Sequence, residues 1–222
     1  MEARLESIPR AETLQYLSYH GSFLPEEIRG DLDRCEAQML SVARPRIVWR
    51  MFTLSEDGMI GETGYRPGGQ DIRVFLRDCD SVIVFAATLG TEAESLIRRA
   101  AARNMADAVM LDAVGSAVIE AVCDNFCQDL AAELAPRFLT DRFSPGYGEM
   151  PLSDQRAIFS LLDVSRRIGV HLSESCLMIP QKSVTALIGV SDVPQPRRKR
   201  GCASCGNYEN CAYRKEGKSC GI

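Results

Sequence analysis

The fold is decided around residues 82–90, which read VIVFAATLG. The first six residues of this stretch are all apolar, and three of them are β-branched. This pattern predicts a strand buried on both faces. The next residues, Thr91 to Glu94, place a hydroxyl three positions before a carboxylate and predict a capping box at a helix start. A central strand should therefore pass directly into a helix. Gly90 punctuates this turn, and the chain contains no G-x-G-x-x-G fingerprint.

The other predicted elements alternate irregularly between helix and strand. This mixture, without regular strand–helix alternation, indicates the α+β class. Helices are predicted at 11–19, Pro25–Ala43, Asp71–Arg77, Met105–Leu134 and 153–168, and strands at Ile47–Leu54, Leu177–Ile179 and Val184–Val190, the last two paired with each other.

The longest predicted helix is nearly all apolar but carries a polar stripe. Asp112, Ser116, Glu120 and Asp124 recur every four residues, which places them along one helix face. The stripe is either a solvated edge or a row of buried groups that require partners. The sequence leaves both interpretations open.

A cysteine-rich tail forms a candidate metal site. Four of the nine cysteines follow the spacing C-x2-C-x5-C-x8-C, at Cys202, Cys205, Cys211 and Cys220. This spacing suits four thiolates around Zn2+ or an iron–sulfur cluster. A disulfide-stapled tail is the alternative, but nothing else in the sequence is typical of a secreted protein. The remaining cysteines lie in or beside apolar segments and are predicted to be core residues: Cys35, Cys79, Cys123, Cys127 and Cys176.

The distribution of charge also separates the cysteine-rich tail from the rest of the chain. From Val193 onward, seven Lys or Arg and two Glu give +5, which leaves −9 for residues 1–192. Residues 194–200 combine prolines with basic residues and predict a stiff linker. We expect one domain over 1–192 and a linker with a metal-binding tail over 193–222.

Several classes of protein are excluded by what the sequence lacks. No apolar stretch has the length of a signal peptide or membrane span, so we expect a cytoplasmic protein with no membrane partner. There are two histidines and no P-loop or H-E-x-x-H motif, which argues against common hydrolases and zinc proteases.

The turn from Arg142 to Tyr147 is a second candidate site. Arg142 offers a bidentate donor for a carboxylate, and Tyr147 offers a flat face with a hydroxyl. Pro145 and Gly146 should force a tight turn that exposes backbone donors. This combination suits a zwitterionic or adenine-bearing small molecule, although a structural corner would use similar residues.

The same turn is the first of three ordered blocks. RFSPGY at 142–147, LSES at 172–175 and MIPQKSV at 178–184 match R-x-x-P-G-Y, L-[ST]-E-S and M-x-P-x-x-S-V. In order and spacing they resemble the reactivation domain of cobalamin-dependent methionine synthase, most closely its short stand-alone form with a cysteine-rich tail. The resemblance covers about residues 80–190. It implies a mixed or mainly antiparallel bent sheet flanked by helices.

The resemblance also implies a ligand and a reaction. Members of the family bind S-adenosylmethionine and restore methylcobalamin from cob(II)alamin with one electron and a methyl group. By position, Arg142 would hold the methionine carboxylate, Pro145, Gly146 and Tyr147 would line the ligand, and Glu120 would approach its amino or sulfonium end. No residue is assigned a catalytic role, so the chain would be part of the methyltransferase system rather than a complete enzyme.

The partners follow from what the chain lacks. It has no D-x-H-x-x-G motif, so cobalamin would be held by a methionine synthase lacking its own activation domain, or by another corrinoid protein. The family segment with adjacent tyrosines is missing, and the acidic ligand contact of the family's N-terminal part matches no residue here. An electron donor is also required.

That electron requirement favours an iron–sulfur cluster, with [4Fe–4S] first, over zinc in the tail. The alternative is a non-catalytic four-cysteine zinc module which, with the basic run 197–200, binds a protein or nucleic acid. An acidic body with few aromatic residues argues against a nucleic-acid partner.

Overall fold

The computed structural model describes residues 8–19 and 24–195, together with Glu209 and Lys215. None of the helices in this part of the chain has the length and apolar character needed to cross a bilayer. The helices are α1 (Arg10–Tyr16), α2 (Glu26–Val42), α3 (Gln70–Phe75), α4 (Thr91–Ala101), α5 (Met105–Glu133), α6 (Gln155–Leu162) and α7 (Val164–Ile168), with a 3-10 turn at Leu152–Asp154. The strands are β1 (Arg46–Thr53), β2 (Ser81–Thr88), β3 (Phe138–Leu139), β4 (His171–Leu172), β5 (Met178–Ile179) and β6 (Ser183–Ser191).

The main sheet has the strand order β1-β2-β6-β3, and all neighbouring strands are antiparallel. The strands β4 and β5 form a separate two-stranded sheet. Helices cover both faces of the main sheet. The predicted α+β class with an antiparallel sheet flanked by helices is confirmed.

Strand β2 lies in the middle of this arrangement and is buried on both faces, as its sequence predicts. Because side chains alternate along a strand, Ile83 and Phe85 pack with α2 and α5, whereas Val82 and Val84 pack with α3, α6 and α7. The result is two hydrophobic layers, one on each side of the sheet. Helix α5 lies in the first layer, and its polar stripe runs along the edge of that layer.

The predicted capping box is wrong. The residue that caps α4 is Gly90, with φ of 87°, so Thr91 already lies within the first turn. The Thr91 hydroxyl donates to Glu92 Oε2 at 3.2 Å, and Glu94 Oε2 accepts from the backbone N–H of Gln181 at 2.8 Å. A glycine in the left-handed region lets the strand turn directly into the helix, without a side-chain cap.

Two further predictions are corrected. The predicted helix at 153–168 is interrupted at Asp163, which adopts a left-handed conformation with φ of 51° and separates α6 from α7. The segments 177–179 and 184–190 are not paired with each other. Strand β6 pairs with β2 along most of its length and with β3 at its last two residues, and β5 pairs with β4 instead.

The predicted division into domain and tail stays a prediction. Strand β6 ends at Ser191, and the continuous described region ends at residue 195. Cys202, Cys205, Cys211 and Cys220 lie outside the described residues. Of the five core cysteines, all free thiols, three are buried and two are partly buried: Cys35, Cys123 and Cys176, then Cys79 and Cys127.

Candidate ligand-binding site

Arg142 is positioned by the residue that follows it. Phe143 exchanges two backbone hydrogen bonds with Leu187 of β6, at 2.9 and 2.8 Å, and its buried ring contacts Phe75 with 5.2 Å between centroids. Phe143 therefore belongs to the hydrophobic layer of α3, α6 and α7. Since neighbouring side chains of an extended segment point in opposite directions, Arg142 reaches toward α5.

The guanidinium of Arg142 is paired on one side only. Its Nη2 lies 2.6 Å from Glu120 Oε2 and 2.9 Å from Asp124 Oδ1, on successive turns of α5. The side chain is 17% exposed, and the buried Nη1 has no hydrogen-bond partner among the residues that the structure describes. An unsatisfied buried donor costs about 1–3 kcal/mol. Nη1 is therefore available to an acceptor that enters the site, and a carboxylate fits it best.

The charge state of Arg142 follows from the same contacts. Burial acts to lower its pKa, but nearby groups including the carboxylates of Glu120 and Asp124 outweigh burial, so the pKa is raised. The residue stays a cation while facing two carboxylates. The cluster has a net negative charge before any ligand binds, which suits a ligand that carries both a carboxylate and a cationic group.

A second ion pair lies two turns earlier on α5. Lys182 Nζ lies 2.8 Å from Asp112 Oδ1 and 2.8 Å from Ser116 Oγ, and its side chain is 11% exposed. The groups of the polar stripe therefore have partners, while Asp112 and Asp124 are also about half exposed to solvent. Sequence reasoning missed Lys182, although it lies inside the third motif block, directly before β6.

The predicted turn has a different hydrogen-bond pattern from the one expected. The N–H of Gly146 donates to Met150 O at 2.9 Å, and the N–H of Tyr147 donates to Ser144 O at 3.2 Å. The prediction of exposed backbone donors is wrong, because the loop satisfies them internally. What the turn presents to solvent is the ring of Tyr147, which is 58% exposed.

Hydrogen bonds to helix α3 hold the turn in place. The N–H of Glu149 donates to Asp71 Oδ2 at 3.1 Å, and Glu149 Oε2 accepts from the N–H of Gln70 at 2.9 Å. Gly148 has φ of 53°, and a Cβ there would lie 1.9 Å from Asp71 Oδ2. A side chain at position 148 would therefore displace the Asp71 carboxylate and disturb its hydrogen bond with the N–H of Glu149.

Helix α1 adds a residue that sequence reasoning did not predict. Tyr16 is 51% exposed. Its pKa is raised to about 12, first by burial and then by the negative charge of Glu120, with Arg142 acting in the opposite direction. Burial is the main cause of the raised pKa, and the smaller effects of Glu120 and Arg142 oppose each other. Tyr16 belongs to none of the three blocks, so no sequence signal marks it.

The fold thus brings some of the predicted site residues together. Glu120 and Arg142 are in direct contact, and Tyr147 projects from the anchored turn. Within the described residues, no group of His, Cys, Asp or Glu is arranged to hold a metal ion. A separate cavity of about 270 Å3 between residues 54–58 and α3 contains none of the predicted site residues. We place the site at Arg142, because its unpaired buried donor gives a chemical reason for a ligand there.

The fold and site define a class: an α+β domain in which a partly buried arginine pairs with two carboxylates of one helix and keeps one nitrogen without a partner among the described residues. The model of the family described as vitamin B12 dependent methionine synthase, activation domain, matches residues 76–195. This match spans more than half of the 222 residues, and the chain belongs to that family. The predicted resemblance to the activation domain is confirmed, whereas the resemblance to a short form with a cysteine-rich tail stays a prediction.

Solved structures give a consistent result. The chain is similar to the crystal structure of the MetH reactivation domain bound to AdoHcy, with a TM-score of 0.61 and 17% identity. The likeness covers 96% of this chain and 82% of that chain. At this identity the likeness shows a shared fold. Comparison with curated proteins finds no match.

Proposed function

We propose that the chain takes part in the reductive reactivation of a cobalamin-dependent methionine synthase, with S-adenosylmethionine as the methyl donor. The observation that carries this proposal is the unpaired, buried Nη1 of Arg142 inside the region matched by the activation-domain family. The similar MetH reactivation domain is bound to AdoHcy, which is S-adenosylmethionine without its methyl group. This ligand supports the same chemical class for the present site.

Each end of the ligand has a partner in this assignment. Arg142 Nη1 donates to the methionine carboxylate, a charge-assisted hydrogen bond strengthened by its sheltered position. Glu120, already bonded to Nη2, faces the amino or sulfonium end and offsets its charge. Pro145, Gly146 and Tyr147 line the ligand, chiefly through the exposed ring of Tyr147.

The net reaction converts cob(II)alamin, one electron and the methyl group of S-adenosylmethionine into methylcobalamin and S-adenosylhomocysteine. The residues described above bind the methyl donor and orient it, and none of them is assigned proton transfer or nucleophilic chemistry. The cobalamin substrate is held by a partner, either a methionine synthase without its own activation domain or another corrinoid protein. The chain is then one component of the methyltransferase system.

We assign the electron entry to the tail of residues 193–222. Cys202, Cys205, Cys211 and Cys220 would hold an iron–sulfur cluster, with [4Fe–4S] first and zinc as the alternative. Support comes from the C-x2-C-x5-C-x8-C spacing and from the low potential that cob(II)alamin reduction requires. A separate electron donor would reduce the cluster.

Anaerobic purification tests the tail. We expect a brown protein whose broad visible absorption bleaches on reduction and is lost in a Cys205→Ser variant. A colourless protein containing one zinc would contradict electron entry through the tail and favour the non-catalytic zinc module.

Calorimetry with S-adenosylmethionine tests the ligand assignment. Native protein should show saturable binding, and Arg142→Ala should weaken it by about 1.5–3 kcal/mol, the scale of a charged hydrogen bond. Arg137→Ala is the matched control, because Arg137 also pairs with two carboxylates, Asp80 and Asp192, but belongs to the sheet edge. Absence of binding to native protein, or equal losses in both variants, would contradict the assignment.

A further inference from the structure

The turn that carries Tyr147 runs over the surface between two buried anchors. Phe143 and Met150 are each 1% exposed, whereas residues 146–149 between them are exposed. Two of these four residues are glycines with positive φ, of 91° and 53°. The anchors fix the two ends of the turn, so the position of the Tyr147 ring depends on what holds the four residues between them.

The contacts that hold them come from the segment 65–71, which precedes the family match of residues 76–195. Asp71 Oδ2 accepts a hydrogen bond from the N–H of Glu149 at 3.1 Å, and Glu149 Oε2 accepts one from the N–H of Gln70 at 2.9 Å. The two bonds run in opposite directions between the first turn of α3 and the exposed part of the turn. Neither segment can therefore shift without breaking at least one of them.

The same segment also packs closely against the turn. A Cβ at Gly69 would lie 2.7 Å from the carbonyl carbon of Glu149, and a Cβ at Gly68 would lie 2.7 Å from Pro151 Cδ. The N–H of Gly68 donates to Asp154 Oδ2 at 2.8 Å, just beyond the turn. Only glycine allows so close an approach of the two backbones. The turn is thus held by a part of the chain that the family match does not cover.

We propose that Asp71 is a positioning residue for the ligand: it holds the turn so that the ring of Tyr147 stays against S-adenosylmethionine bound at Arg142. This inference rests on the proposed function and deepens it, because it gives a segment outside the family match a role in binding. The Asp71 carboxylate is engaged by the N–H of Glu149. Its effect on the ligand is therefore indirect, through a ring that is already in place when the ligand arrives.

Titration of the full-length chain with S-adenosylmethionine tests the inference. Asp71→Ala should weaken binding about fivefold, the loss expected when one hydrogen bond that preorganises a site is removed. Asp71→Asn keeps an acceptor oxygen for the N–H of Glu149 and should stay within about twofold of native affinity. Asp78→Ala is the matched control, because Asp78 is a half-exposed carboxylate shortly after α3, and this variant should bind like native protein.

A double-mutant cycle separates positioning from a general loss of structure. If Asp71 acts through Tyr147, adding Asp71→Ala to Tyr147→Ala should cause no further loss of affinity, because the ring that Asp71 positions is already gone. Losses that multiply in the double variant would refute the proposed route.

Hydrogen exchange gives a readout that needs no ligand. The amide of Glu149 should exchange faster in Asp71→Ala than in native protein or Asp71→Asn, because its acceptor has been removed. Equal exchange in all three proteins would refute the hold of Asp71 on the turn.

The outcomes distinguish this inference from the proposed function. If native protein binds and Arg142→Ala weakens binding, but Asp71→Ala binds like native protein, the role of Asp71 is refuted and the proposed function stands. If Asp71→Asn loses as much as Asp71→Ala, the hydrogen bond to Glu149 is not the cause, and the role is again refuted. If native protein does not bind S-adenosylmethionine, the proposed function fails and the role of Asp71 in binding fails with it.

Discussion

The two ends of the polar stripe on α5 use the same chemistry for different purposes. At one end, Lys182 pairs with Asp112 and Ser116, each at 2.8 Å. At the other, Arg142 pairs with Glu120 and Asp124, while its Nη1 has no partner within the described part of the chain. We call these the closed pair and the open pair. The comparison teaches that two partly buried cations beside one helix differ in one respect: the Lys182 nitrogen has two protein partners, whereas one nitrogen of Arg142 has none among the described residues.

The largest effect is expected from a mutation on the opposite side of the sheet, in the backbone segment that presents Arg142. Phe143 is 1% exposed and fixes the backbone that presents Arg142. Phe143→Ala should lower the free energy of unfolding by about 3–5 kcal/mol, because it leaves a cavity in the core. Urea unfolding measures this, with the partly exposed Phe138→Ala as a control expected to lose much less. A loss no larger than that of Phe138→Ala would mean that Phe143 does not anchor the site.

Removing the cation of the closed pair should affect stability without affecting ligand binding. Lys182→Met leaves Asp112 and Ser116 without their partner and should cost about 1–2 kcal/mol of unfolding free energy, a modest value because Asp112 is half exposed. Affinity for S-adenosylmethionine should be unchanged. If Lys182→Met weakened binding as much as Arg142→Ala, the two pairs would form one site and the comparison would be wrong.

Within the open pair, the two carboxylates should differ. Glu120 is the more sheltered of the two, and the proposed ligand position brings the cationic end toward it. Glu120→Gln should weaken S-adenosylmethionine binding by about 1 kcal/mol, and Asp124→Asn by clearly less, since exposed charges contribute little. Calorimetry on both variants decides this. A larger effect at Asp124 would place the cationic end of the ligand further along α5.

The smallest expected effect is a pH dependence at Tyr16. Its pKa is raised from 10.0 to about 12 in the folded chain. Its contribution to stability is therefore fully present below the unfolded pKa and is lost as pH rises from 10 toward 12. The unfolding free energy of native protein should fall more steeply above about pH 10 than that of Tyr16→Phe. Parallel curves would show that folding does not raise the pKa of Tyr16.

Much of this arrangement could be predicted from the sequence, for identifiable reasons. The buried strand β2 and the long helix α5 have strong local patterns, and the resemblance assigned Glu120 and Arg142 to the same site. Their direct ion pair was not predicted. The apolar run and the helical period are properties of neighbouring residues. The structure keeps both patterns because their apolar residues form the two hydrophobic layers.

What could not be predicted depends on contacts between distant segments. Lys182 and Asp112 are separated by 69 intervening residues, and nothing local links them. The position of Tyr16 is set by the packing of α1 against α5, which no local pattern predicts. The capping box failed because Gly90 supplied the turn without a side-chain cap, and the exposed backbone donors failed because Met150 and Ser144 accept those hydrogen bonds.

The most direct test of the account is a crystal structure of the chain with S-adenosylhomocysteine. We predict that the ligand carboxylate accepts a hydrogen bond from Arg142 Nη1 at about 2.8–3.0 Å, while Lys182 keeps its protein partners. A ligand bound elsewhere, with Nη1 still unpaired, would contradict the distinction between the open and the closed pair.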